Sequence, residues 1–143
     1  MQILKIVIHC SDSNDDRDFT AEDIHRWHIE RGWSGIGYHY VIRRDGIIEA
    51  GRPEYWQGAH VYKHNVNSLG ICLIGRNVFT PEQFYTLYEK IKELKKKYVG
   101  AEVFNHYELD NKKTCPNFNV HAMEVQEVKK TNEFKINQLR YTT

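Results

Sequence analysis

The sequence predicts an α/β fold: a single domain with a central mixed β-sheet flanked by helices. Three observations carry that expectation. Apolar, strand-like runs alternate with segments of helical periodicity. One strand pair is joined by an Asp-Gly turn, which points to a hairpin inside an otherwise alternating order. The chain has 143 residues and 41% apolar content, enough for one core. No internal repeat, low-complexity tract or Pro/Gly/Ser linker divides it, so residues 1–143 are expected to form one domain.

The elements follow in order. Ile3 to His9 is an apolar, β-branched run and reads as a largely buried strand. A Ser/Asp/Asn-rich loop covers Ser11 to Asp18. Thr20 then caps a helix, with Asp23 as the reciprocal partner; Ile24, Trp27, His28 and Arg31 recur at helical spacing, and Gly32 terminates it. Gly37 to Ile42 is the next strand, Asp45-Gly46 the turn, and Ile47 to Glu49 the return strand. Arg52 to Asn67 is a long irregular stretch of the kind that builds binding surfaces. Leu69 to Ile74 contains no charged residue and reads as a central strand. Thr80, Pro81 and Gln83 open a long helix whose expected buried stripe is Phe84, Leu87, Tyr88, Ile91, Leu94 and Tyr98, stopped by Gly100. Ala101 to Phe104 is the last strand, and a loop follows through Cys115-Pro116. From Glu124 the chain is a polar tail with weak helical patterning.

Composition excludes several classes. The formal net charge is +1 and the basic residues form no stripe, which argues against a nucleic-acid partner. Lys95, Lys96 and Lys97 close a helix, where cations suit the dipole. Three cysteines are too few and too scattered for a disulfide framework. No apolar stretch is long enough to cross a bilayer, so no stable membrane insertion is expected. The N-terminal residues run straight into a strand without a cleavage signature, so the expectation is synthesis in the cytoplasm without an export signal of its own. A monomer is expected.

His9 ends the first strand and His106 follows the last, and ligands in open α/β sheets collect beyond the carboxyl ends of strands. Cys115 lies close behind on the same loop as His106. Two His and one Cys suit a zinc ion with its fourth position open. Spacing alone leaves alternatives, because the chain holds eight histidines. Cys115 also reads as a buried thiol or as a nucleophile, although such a cysteine usually opens a helix, whereas Pro116 and a loop follow here. Cys10 and Cys72 read as core residues. His25 and His28 read as a packed or solvated helix face. His39 alternates with Tyr38 and so points to the other face of the strand.

Seven segments resemble one family in register. They are Ile8-His9-Cys10-Ser11; Gly32-Trp33 with Ile36-Gly37-Tyr38-His39-Tyr40; Arg44-Asp45-Gly46; Glu49-Ala50-Gly51-Arg52; Gly58-Ala59-His60; Asn67 through Gly75; and Lys113-Thr114-Cys115-Pro116. Together they are similar to the type 2 N-acetylmuramoyl-L-alanine amidases, a family that includes the peptidoglycan recognition proteins, and within it to the short bacteriophage amidases. The likeness runs from about Ile6 to Phe118. It implies a zinc ion on His9, His106 and Cys115, a catalytic tyrosine at Tyr38 and a catalytic lysine at Lys113. It also implies that His60 and Asn67 line the groove for the substrate.

The implied reaction is hydrolysis of the bond between the N-acetylmuramic acid lactyl group and L-alanine in peptidoglycan. The setting would be a phage-type endolysin that waits in the host cytoplasm and acts on the cell wall after release. An unactivated amide needs a strong nucleophile and a stabilised oxyanion; zinc supplies the first and a cation such as Lys113 the second. Glu108 is a spare carboxylate near the site, and the roles of Tyr38, Lys113 and Glu108 stay undivided. Two rivals remain: a recognition module that binds muropeptide without cutting it, and a metal-free Cys-His peptidase.

Overall fold

The computed structural model of the protein describes residues 2–125. Most of the expected polar tail, residues 126–143, lies outside the described residues. Among the described residues, five strands form one sheet in the order β3-β2-β4-β1-β5. They are β1 (Lys5–Cys10), β2 (Tyr40–Ile42), β3 (Ile48–Ala50), β4 (Ser68–Leu73) and β5 (Glu102–Asn105). The pairs β1·β4, β1·β5 and β2·β4 are parallel, and only the β2·β3 hairpin is antiparallel. The mixed sheet expected from the sequence is therefore present.

The central strands are continuous apolar runs because both faces are covered. On one face Ile6, Ile8, Leu69, Ile71 and Leu73 pack with Leu87 and Leu94 of α2 (Pro81–Lys97). On the other, Val41, Cys72 and Ile74 pack with Ala21 and Ile24 of α1 (Ala21–Glu30). Both helices begin with a capping box, Thr20 with Asp23 and Thr80 with Gln83, and α2 has a proline in its first turn. The β2–β3 turn needs Gly46, which holds φ +87, a conformation that costs a residue with a Cβ.

The structure differs from the sequence expectation in three places. The strand expected over 37–42 joins the ladder only at Tyr40. The Gly37 and Tyr38 carbonyls instead accept from the Ala59 and Arg52 amides of the long loop, so this segment is tied across the mouth of the sheet. On α2, Tyr88 is 44% exposed, while Gln83, Thr86 and Lys90 face inward. Their polar ends are satisfied there: Gln83 Nε2 donates to the Ile42 and Ile74 carbonyls, the Thr86 hydroxyl donates to the Gly46 carbonyl, and the Lys90 ammonium sits over the Tyr40 ring. Finally, a short helix, α3 (His106–Leu109), starts directly after β5. The Glu108 carboxylate accepts from the Asn105 amide at its start.

Candidate metal centre and its cleft

The sheet topology brings the first ligands together. β1 and β5 are parallel neighbours with Ile8 opposite Asn105, so His9 and His106 emerge side by side at the carboxyl ends of their strands. The loop after α3 turns back through a bond from the Lys113 amide to the Asp110 carbonyl, and the Tyr107 amide ties it to the Cys115 carbonyl. That places Cys115 Sγ beside the end of β1, where it accepts the Cys10 amide at 3.0 Å. His9 Nδ1 and His106 Nδ1 are 3.1 Å apart. The potential ligand atoms of His9, His106 and Cys115 all lie within 4.8 Å of one another, so the group could hold a metal ion.

The electrostatics favour ligands over acids and bases. Burial, reinforced by the neighbouring His60 and His106 rings, holds the His9 imidazole well below its usual pKa. Burial also lowers His106, with Asp110 opposing the shift and Lys113 adding to it. Both rings are therefore neutral at pH 7, the form that ligates. The Cys10 thiol alongside and burial push the Cys115 thiol up. A cation at the same point would reverse that, since a coordinating thiol loses its proton to the metal's charge.

Around this centre lies a cleft of about 300 Å³. Tyr38 and Lys113 both line it, together with His60 and His106. The Tyr38 ring is 5.1 Å from the His9 ring, centroid to centroid. Burial and then the nearby Cys72, Cys115 and Cys10 keep its phenol protonated. Lys113 is exposed at the mouth, and Lys112 is not part of the lining. Glu108 is committed elsewhere: its Oε1 accepts from the Asn105 amide, Asn105 Nδ2 and His121 Nε2.

The two residues expected to touch substrate are placed differently from each other. His60 reaches the cleft but is 9% exposed, with its ring between His9 and Ser68. Asn67 lies at the other end of the sheet, outside the lining, where its carbonyl accepts from the Leu4 and Lys5 amides. Asn65 occupies the cleft position instead. Its Oδ1 accepts from the His60 and Val61 amides, and its presence in the lining had no sequence signal beyond membership of the long loop.

Sequence reasoning also missed Arg31, Tyr62 and Asp110 in the cleft wall. His25 and His28 have a more specific role than a packed helix face. The Ile36 amide donates to His25 Nδ1 at 2.9 Å and the Gly37 amide to His28 Nδ1 at 3.0 Å, which pins the segment carrying Tyr38 onto α1. Cys10 and Cys72 are buried, as expected, although Cys10 also supplies the amide that meets Cys115.

Comparison with known proteins adds independent findings. The family profile described as N-acetylmuramoyl-L-alanine amidase matches residues 1–118. The endolysin of Klebsiella phage KP32 is 39% identical over 124 residues, covering 81% of this chain and 82% of that protein. The endolysin of Escherichia phage T7 is 38% identical over 123 residues, covering 80% and 81%. Among solved structures, the N-acetylmuramoyl-L-alanine amidase LysC from Clostridium intestinale superposes with a TM-score of 0.75 at 35% identity, covering 82% of this chain and 78% of that one.

Proposed function

The chain belongs to the N-acetylmuramoyl-L-alanine amidase family and is an amidohydrolase of that class; on that premise we propose a zinc-dependent, phage-type endolysin. It cleaves the lactyl–L-alanine amide of peptidoglycan at the cell wall, with one zinc ion on His9, His106 and Cys115. The observation that carries the metal reading is the convergence of two neutral imidazoles and one thiol on a single point. Two nitrogens bonded to one tetrahedral zinc at ~2.0–2.1 Å would be about 3.3 Å apart, close to the 3.1 Å between His9 Nδ1 and His106 Nδ1. Three protein donors, one of them sulfur, are the set of a catalytic zinc with an open position.

Zinc held there supplies a nucleophile at neutral pH and polarises a carbonyl. The chain's own residues do the rest. The Lys113 ammonium stands at the cleft mouth, where it stabilises the carbonyl oxygen as that atom becomes negative, more than it stabilises the neutral ground state. The Tyr38 phenol, kept protonated by burial, lines the cleft beside the His9 ring, and in this reading it holds a proton next to the reacting carbonyl. Trp33, Tyr62 and Asn65 form walls that receive the muropeptide.

The test is digestion of purified peptidoglycan with and without chelator, followed by zinc add-back, with products read by mass spectrometry. Stem peptides with a free L-alanine terminus that vanish with chelator and return with zinc are expected. Cleavage that ignores the chelator would overturn the metal reading, and intact muropeptide would overturn hydrolysis.

A further inference from the structure

We propose that His60 is a positioning residue that acts through His9, at the head of a one-way hydrogen-bond chain running from the metal site to the backbone at Asn65. The inference rests on the zinc reading above. His9 Nε2 is 2.9 Å from His60 Nδ1, His60 Nε2 is 3.1 Å from Ser68 Oγ, and the Ser68 hydroxyl donates to the Asn65 carbonyl at 3.2 Å.

The direction of the chain follows from valence. With His9 Nε2 engaged by His60, Nδ1 is the nitrogen that faces His106 and is free to ligate. A neutral imidazole that ligates through Nδ1 carries its proton on Nε2. His60 Nδ1 must then accept, which puts the His60 proton on Nε2. That N–H donates to Ser68 Oγ, whose own proton is committed to the Asn65 carbonyl. Each donor has one acceptor, and the alternative tautomer of His60 would set two N–H groups against each other.

The surroundings hold His60 in this one pose. Its ring packs against β4 at Gly70, where an added Cβ would come within 2.6 Å of the ring's Cγ. Only glycine leaves room for the ring there. The Asn65 side chain closes the 60–65 loop by accepting from the His60 and Val61 amides. Gly70, Ser68 and Asn65 thus serve one imidazole whose nitrogens are both spent inside the protein, which leaves it no free nitrogen for substrate. Ligating histidines held by such outer partners are stiffer and more basic, and loss of the partner typically costs 10–100-fold in metal affinity.

The experiment combines zinc affinity, by competition with a chromophoric chelator, with long-range 1H–15N spectra of the imidazoles in the zinc-loaded protein. The wild type is expected to bind one zinc, with the His9 and His60 protons both on Nε2. His60→Leu is expected to weaken zinc binding by ~10–100-fold. His60→Asn, whose Oδ1 falls near the position of Nδ1 and can accept from His9, is expected to recover most of that loss. Ser68→Ala is expected to weaken binding by a smaller factor in the same direction. A His60 proton on Nδ1, or wild-type zinc affinity in folded His60→Leu, overturns the proposal. The spectrum of the wild type decides the matter even if a variant fails to fold. Failure of the wild type to bind zinc at all would instead sink the underlying metal reading.

Discussion

Six of the eight histidines are buried, and they divide by what their ring nitrogens meet. His25, His28 and His39 each accept a backbone amide, from Ile36, Gly37 and Gly70 respectively. His39 also donates from Nε2 to the Trp56 carbonyl, so both its nitrogens are accounted for by backbone. His9 instead meets both His60 and His106, and His9 and His106 converge with Cys115. Backbone partners are fixed and need nothing further, so the first group acts as staples between α1, β4 and the long loop. His9 and His106, facing each other across 3.1 Å beside Cys115, could hold a metal ion, which marks the second group as the candidate site. Burial does not separate the two groups; partner identity does.

The comparison breaks most visibly at Cys115. Cys115→Ser removes the soft donor from the second group, and peptidoglycan cleavage is expected to fall to background with zinc affinity sharply reduced. Retained cleavage in the purified variant would put the chemistry elsewhere. Lys113→Ala leaves the ligands intact and is expected to lower kcat by ~10²–10³ with one zinc still bound, whereas Lys112→Ala, outside the cleft lining, changes kcat little. Equal losses in the two variants would remove Lys113 from the oxyanion role.

The staple group predicts the opposite pattern, in stability rather than metal binding. His28→Leu strands the buried Gly37 amide and is expected to cost ~1–3 kcal/mol in chemical denaturation, with zinc affinity unchanged. His28→Asn, which restores an acceptor, recovers part of it. The same staple carries a pH signature. Burial, followed by the charges of Arg31, Arg52 and His25, pushes the His28 pKa down to about 4. The folded value lies below the unfolded one of ~6.5, so the unfolded chain takes up the proton first. The stability this staple contributes is complete above pH ~6.5 and is lost as pH falls through about 4. Denaturation midpoints across that window should slope less in His28→Asn than in the wild type.

Much of the fold was legible because its signals are local. β1 and β4 are apolar runs, α1 and α2 open with Thr-x-x-Asp and Thr-x-x-Gln boxes, and Asp45-Gly46 marks its turn. Tyr88 misled because periodicity counts apolar residues and cannot see that Gln83 and Thr86 find strand-end carbonyls on the buried face. α3 was missed for its length of four residues, although Asn105-x-x-Glu108 is a cap signal that was there to read. The group that could hold a metal ion was legible as strand-end histidines plus a cysteine, sharpened by the family resemblance. The separation of His60 from Asn67 was not legible, because a loop's sequence does not say which of its residues turns inward; Asn65 did, and Asn67 ended at the opposite end of the sheet from the cleft.

The most direct measurement is X-ray absorption at the zinc edge on the zinc-loaded protein. The account predicts two imidazole nitrogens at ~2.0–2.1 Å, one sulfur at ~2.3 Å and one further light atom from solvent, with the sulfur shell absent in Cys115→Ser. A wild-type spectrum without sulfur, or with a closed shell of four protein donors, would contradict it.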